Sequence, residues 1–245
     1  MKNKIDSQGK CLYCDKLFKK AGITKHLNQH LEIMEAENKV KAKTFHLRIE
    51  GMSYFFKEGK SMFLNVLVDG NAPLQDLDMF LRNIWLECCG HMSTFQVKGK
   101  YYDDNWDDDF AEIGEKKKTK MSKIFGEGLV LDYEYDMGST TPLTIKIIKE
   151  LNLAIPESVR LLSRNEPLAI LCDICHINPA VMVCSIHMGQ PEEAFFCQSC
   201  KSKHAKKCSD FKDYSAMPVV NSPRMGTCAY TGGYIDKKRD SPYKG

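Results

Sequence analysis

The sequence predicts an α+β protein: an antiparallel sheet with a packed helix as central domain, flanked by two small cysteine-rich modules. Three observations carry this. Short runs between residues 44 and 150 alternate apolar and polar residues, the period of a half-buried strand. One run at 73–90 spaces its apolar residues as a helix does. Six of the eleven cysteines and three of the seven histidines crowd into 172–208, outside those runs.

A chain of 245 residues has room for one sizeable core and one or two satellite modules. It divides into 1–43, a basic segment with a helical connector, then 44–165, the α+β domain, then 166–245, the cysteine-rich module with a tail. Charge follows the same division. Ten Lys/Arg stand against five Asp/Glu in 1–43 (+5), fifteen against nineteen in 44–165 (−4), and ten against eight in 166–245 (+2), for a net +3. Basic ends favour an anionic partner. No stretch approaches the roughly 18 uncharged apolar residues of a membrane span, so no membrane partner is expected. The start, MKNKIDSQGKCLYC, has lysines with no apolar run behind them, so no secretory signal is read. A cytoplasmic, reducing location is expected, where paired Cys-x-x-Cys spacings mean metal rather than disulfides.

Along the chain, ITKHLNQHLEIMEAENKVKAK (23–43) sets Ile23, Leu27, Leu31 and Met34 at helical spacing. TFHLRIEG (44–51) and SMFLNVLVDG (61–70) read as strands ending in glycine. In PLQDLDMFLRNIWLECCG (73–90), Leu74, Leu77, Leu81, Ile84, Trp85 and Cys88 share one helical face and Gly90 ends it. Cys88 and Cys89 are then packing thiols at the helix end. STFQVKGKYY (93–102) reads as a strand running into a turn, and an acidic-then-basic excursion closes a short helix near Lys120–Phe125. GLVLDYEYDMGS (128–139) and PLTIKIIKE (142–150) are two further strands, giving the order β-β-α-β-insertion-β-β.

Two constellations have metal-ligand spacing. Cys11 and Cys14 form a Cys-x-x-Cys, followed by His26 and, four positions on, His30. Two thiolates on a tight turn and two imidazoles one helical turn apart meet a single tetrahedral zinc. The segment resembles a two-Cys, two-His zinc finger whose middle spacer is one residue shorter than the usual ~12. Lys16, Lys19, Lys20 and Lys25 would meet phosphates or a docking partner, with Asn28 and Gln29 within reach of bases. A lone finger covers only about three base pairs, which argues against solitary sequence readout.

The second constellation reads Cys172-x2-Cys175-x8-Cys184-x2-His187-x9-Cys197-x2-Cys200-x3-His204-x3-Cys208. Eight ligands predict two closed zinc sites. Alternating the pairs puts Cys172, Cys175, Cys197 and Cys200 on one ion and Cys184, His187, His204 and Cys208 on the other. This interleaving resembles cross-braced MYND and B-box fingers, with His187 where MYND proteins usually carry cysteine. Three zinc ions are therefore expected. His176 is read as a surface residue. A catalytic zinc keeps an open position, whereas every position here is filled, and H-E-x-x-H is absent. The basic stretch KSKHAKK offers Lys201, Lys203, Lys206 and Lys207 to a partner. In the tail, Cys228 sits in a turn expected to pack on the zinc module, and Arg224, Lys237, Lys238 and Arg239 form a basic edge.

Through FHLRIEG, FLNVLVDGNAPLQDLDMFLRNIW, HMSTFQVKGKYY and MSKIFGEGLVLDYEYDMGS, residues 44–150 resemble the plasmid pRiA4b ORF-three-like family, insertion-element passengers with a TnpR-like label. The resemblance implies an α+β fold and an association with mobile elements. Family members usually continue the YEYD element with acidic residues and a tryptophan; Ser139, Thr140 and Thr141 stand there instead. No resolvase-like catalytic pattern is present.

The leading functional reading is a non-enzymatic zinc-binding adaptor for a protein or nucleic-acid partner. One alternative is sequence-nonspecific DNA or RNA binding. Another is a metal-dependent phosphodiesterase or nuclease, in which Asp132, Glu134 and Asp136 alternate along a strand and share one face. The bland account of those carboxylates is a solvated strand face, and Asp103, Asp104 and Asp107–Asp109 read as a solvated acidic loop.

Overall fold

The computed structural model describes residues 7–52, 61–103, 114–189 and 193–240. In chain order the elements are β1 (Gln8–Cys11), β2 (Leu17–Lys19), α1 (Lys20–Glu37), β3 (Lys43–Met52), β4 (Ser61–Asp69), α2 (Leu74–Leu81), β5 (Ser93–Val97), β6 (Lys100–Asp103), β7 (Gly114–Lys116), α3 (Met121–Ile124), β8 (Val130–Tyr135), β9 (Thr141–Asn152), β10 (Val159–Asn165), β11 (Met182–Cys184), β12 (Phe195–Phe196), α4 (Lys201–Ala205) and β13 (Ala216–Pro218). Ten strands form one sheet in the order β2-β1-β10-β4-β3-β9-β8-β5-β6-β7, and β12-β11-β13 form a second. Neighbours in the large sheet are antiparallel except β6 beside β7. Of the acidic run, Asp103 ends β6, while Asp104 and Asp107–Asp109 lie outside the described residues.

β4 shows why the sheet is a two-sided core. Met62, Leu64, Val66 and Val68 point to one face, where α2 covers them with Leu74, Leu77 and Leu81. Phe63 and Leu67 point to the other, where α1 covers them with Ile23, Leu27 and Leu31. With both faces buried the strand is apolar at nearly every position, and the alternation expected of a half-solvated strand gives way. Each such Leu or Phe contributes roughly 1.5–3 kcal/mol on burial.

The α2 helix does not run to Gly90. It passes into a π-helical turn, Arg82–Leu86, and Glu87 is already extended. The wider turn buries Ile84, Trp85 and Leu86 in succession, which one α-helical face does not accommodate. Cys88 and Cys89 therefore lie in a loop beyond the helix. Cys88 is half-buried and packs against the core as expected, whereas Cys89 is exposed, which corrects its reading as a packing thiol. STFQVKGKYY is a strand running into a turn as expected, and a second strand returns from it to complete a hairpin. Lys98 (φ 49°) and Gly99 (φ 82°) supply the two left-handed residues that a tight hairpin turn requires.

Two features bind the flanking segments to this sheet. β10 had no counterpart in the apolar pattern, yet it pairs with both β1 and β4 and so continues the sheet into the N-terminal segment. The C-terminal tail lies against the same core: Val219, Val220, Met225 and Tyr230 join the cluster built on β3, β4 and α2. Asn165 and Asn221 exchange hydrogen bonds, Asn165 Nδ2 to Asn221 Oδ1 at 2.7 Å and Asn221 Nδ2 to Asn165 O at 2.8 Å.

Candidate metal centres

The N-terminal cluster is built by a turn and a helix. β1 ends on Cys11. The Asp15 N–H donates to Cys11 O at 2.9 Å, and Asp15 takes φ 59° to close the turn that returns Cys14 beside Cys11. Helix α1 supplies His26 and His30 from consecutive turns. Cys14 Sγ is 3.2 Å from His26 Nε2, and the two Nε2 atoms are 3.1 Å apart. One ligand atom from each residue lies within 4.8 Å of the others. His26 stacks on Phe18 with centroids 4.2 Å apart. Burial lowers the His26 pKa, favouring the neutral imidazole that ligates a cation.

In the C-terminal module the interleaved pairs meet in two groups, Cys172, Cys175, Cys197 and Cys200, and Cys184, His187, His204 and Cys208, again within 4.8 Å each. β11 and β12 bring the second and third pairs beside each other, α4 carries His204, and Cys208 follows just beyond its end. In the four-cysteine group, backbone N–H groups of Asn178 and Ile177 pull the Cys175 thiol down to about 6. Burial and the neighbouring Cys197 sulfur push Cys200 up to about 12. In the mixed group Cys184 Sγ is 3.1 Å from His187 Nδ1, and the His204 ring stacks on Phe196 at 4.1 Å. His204 Nε2 is buried with no hydrogen-bond partner, which suits a nitrogen placed to ligate a metal. His176 is exposed and belongs to neither group.

A fourth group was not legible as such: Cys88, Cys89, His91 and Cys228, also within 4.8 Å. His91 and Cys228 are 137 positions apart in the chain, so no spacing pairs them. The only local signal is Cys-Cys-Gly-His at 88–91. Cys228 sits in a turn as expected, with nearby Gly226 against Met188 and Val183 of the C-terminal module, and its sulfur faces the α2–β5 loop.

Other sequence-predicted residues divide. Lys16, Lys19, Lys25, Lys203, Lys206 and Lys207 are exposed, and Lys201 is half-buried. Lys20 is paired with Glu50 at 2.6 Å. Asn28 does not face outward for base contacts, because its Oδ1 meets Nδ1 of the buried His46 at 2.8 Å. Arg224 leaves the basic edge, being fully buried. Asp132 and Glu134 share the exposed face of β8, but Asp136 turns away at φ 66° and is buried against Arg224 at 2.6 Å. The nuclease reading thereby loses its third carboxylate. The face that Asp132 and Glu134 line also carries Arg48, Glu50 and Lys146, a mixed-charge groove of about 580 Å³.

Fold and site together define an α+β protein whose Cys/His clusters have geometry compatible with holding metal, consistent with zinc. Among the described residues no helix is long and apolar enough to cross a membrane. Neither a protein-family model nor a curated protein matches the chain. Among solved structures, MM3350 from Methanosarcina mazei Go1, a protein of unknown function, is similar at 15% identity and a TM-score of 0.41, over 51% of this chain and 68% of that one.

Proposed function

We propose that the protein is a zinc-stabilised adaptor, with one zinc in each of the three predicted ligand sets and a partner, protein or nucleic acid, bound on the surface they shape. Its association is with mobile elements, as the pRiA4b-type resemblance of 44–150 implies. The observation that carries this is the closure of the sites. Four protein side chains converge in each set, so no position is left for the water of a catalytic zinc. Zinc here holds elements together and presents them. The ion in the first set pins α1 to the β1–β2 turn, and the two in 172–208 hold α4 and its lysines in place.

The test is metal counting on cysteine variants. Cys14→Ser, Cys175→Ser and Cys208→Ser, each purified from zinc-replete cells, should each lose one zinc relative to the parent by elemental mass spectrometry. Unchanged zinc in all three would overturn the assignment. A second reading, nonspecific nucleic-acid binding, is supported by the exposure of Lys203, Lys206 and Lys207 at α4 and of Lys16, Lys19 and Lys25 at the first site.

A further inference from the structure

We infer that Cys88, Cys89, His91 and Cys228 form a fourth zinc site, one that clasps the C-terminal tail onto the end of the α2 segment. The distances suit a single tetrahedral ion. Cys89 Sγ is 3.7 Å from Cys88 Sγ and 3.7 Å from Cys228 Sγ, while His91 Nε2 is 3.0 Å from Cys89 Sγ and 3.3 Å from Cys228 Sγ. With zinc–sulfur bonds of about 2.3 Å, tetrahedral geometry sets sulfur–sulfur edges near ~3.8 Å. The same separations lie far outside the roughly 2.05 Å of a disulfide.

The loop is preorganised for this. Gly90 takes φ 80°, and its N–H donates to Glu87 Oε1 at 2.5 Å, which folds the Cys-Cys-Gly-His segment back on itself. Arg82 holds both ends of the loop, donating to Glu87 Oε2 at 2.8 Å and to the His91 carbonyl at 2.7 Å. From the tail, Cys228 (φ 50°) and Ala229 (φ 53°) take two successive left-handed conformations, which direct the Cys228 sulfur at the loop. Two such residues in a row are costly, and a bond to a shared ion is a reason for the chain to hold them. Arg224 Nη2 lies 3.4 Å from Cys88 Sγ, a cation beside the sulfur nearest the core. Three thiolates and one neutral imidazole leave a zinc site at net −1, beside the Arg224–Asp136 pair, whose Asp136 Oδ2 is 3.4 Å from His91 Nε2.

Exposure sets this site apart. Cys89 and Cys228 are exposed, whereas Cys11, Cys172, Cys184, Cys197 and Cys200 are buried. The fourth ion is therefore the one that chelators and thiol reagents reach first, and its loss frees Cys228 from the Cys88–His91 loop without dismantling the other three sites. It stands on residues separate from the three ions proposed above, so its failure and theirs are distinguishable.

The experiment combines metal counting with thiol footprinting on the full chain. Zinc-replete protein should carry four zinc ions, and the Cys89→Ser/Cys228→Ser variant three. If the variant does not fold, the parent answers instead. Iodoacetamide should leave Cys88, Cys89 and Cys228 unmodified in zinc-replete protein. After brief exposure to EDTA, those three should be alkylated first, alongside release of one zinc. Three ions in the parent with Cys89 and Cys228 alkylated at once would overturn the site and leave the other three standing. So would recovery of Cys89 and Cys228 as a disulfide from zinc-replete, reduced preparations.

Discussion

Arg224 reaches from the C-terminal tail to Asp136 at the end of β8, its Nη2 2.6 Å from Asp136 Oδ2, and both side chains are buried. The same guanidinium donates to Ser139 O at 3.1 Å and Thr141 Oγ1 at 3.0 Å and lies over the Tyr135 ring. Burial alone would raise the Asp136 pKa, but Arg224 and the N–H groups of Ser139 and Gly138 outweigh it and hold the carboxyl at about 2. Removing one partner of such a pair strands the other charge in the interior. Arg224→Met is expected to cost about 3–5 kcal/mol in urea unfolding at saturating zinc. Adding Asp136→Asn should recover part of the loss. A cost under about 1 kcal/mol for the single variant would show that the pair does not anchor the tail.

Gly51 tests the same docking from the sheet side. A Cβ built there would lie 2.7 Å from Pro223 Cγ and 2.8 Å from Leu143 Cδ2. The tail crosses β3 closely because this position has no side chain. Gly51→Ala should therefore displace Pro223 and destabilise the protein by about 1–3 kcal/mol, as overpacking does. Hydrogen exchange should rise in 219–230. Equal loss of protection across α1 instead would mean the strain is spread through the sheet.

Gly51 also marks where sequence reading stopped. It reads as a glycine ending a strand, but it lies inside β3, and the reason is a tail residue 172 positions away. The five central strands and the helix were legible because their periods report local burial. β10 was not, because Ser163, Arg164 and Asn165 are buried polar residues whose partners, Asn221 and Asp240 among them, belong to the tail. The metal clusters divide by the same rule. Three sets announce themselves as paired ligands at short spacings. In the fourth, the Cys88–His91 loop and Cys228 are joined only by the fold. Asp136 was misplaced because the period-2 pattern of β8 was extended one residue past its end, into a left-handed turn.

His46 gives the fold a predictable response to acid. It is fully buried, with Nδ1 2.8 Å from Asn28 Oδ1 and Nε2 3.0 Å from Asn65 Oδ1, and burial lowers its pKa to about 4. The unfolded chain binds a proton near pH 6.5 that the folded chain refuses until about pH 4. Stability from this residue is complete above that upper value and is lost as pH falls through the window, by about 3 kcal/mol in all. Zinc release adds its own acid sensitivity, common to parent and variant. His46→Gln cannot charge, so the difference between its unfolding free energies and the parent's should narrow steadily from pH 6.5 to 4. A constant difference would mean that His46 titrates alike in both states. An NMR titration should show the His46 ring neutral down to about pH 4.5.

Salt dependence separates the two kinds of partner. If the lysines at α4 and around the first metal site contact phosphates, affinity for a short duplex or single strand falls steeply between low and moderate salt, because each contact releases condensed counterions. Lys203, Lys206 and Lys207 are exposed and close in sequence at the end of α4. Replacing all three with alanine should lower the slope of log affinity against log salt by up to about 3, near 0.9 per phosphate contact on duplex DNA. The effect should be uniform across sequences, since phosphate contacts position a protein without specifying bases. Fluorescence anisotropy over a salt series reads both quantities. Binding that is absent at low salt, or a slope unchanged in the triple variant, would remove these lysines as phosphate contacts. The α4 surface would then be left to a protein partner.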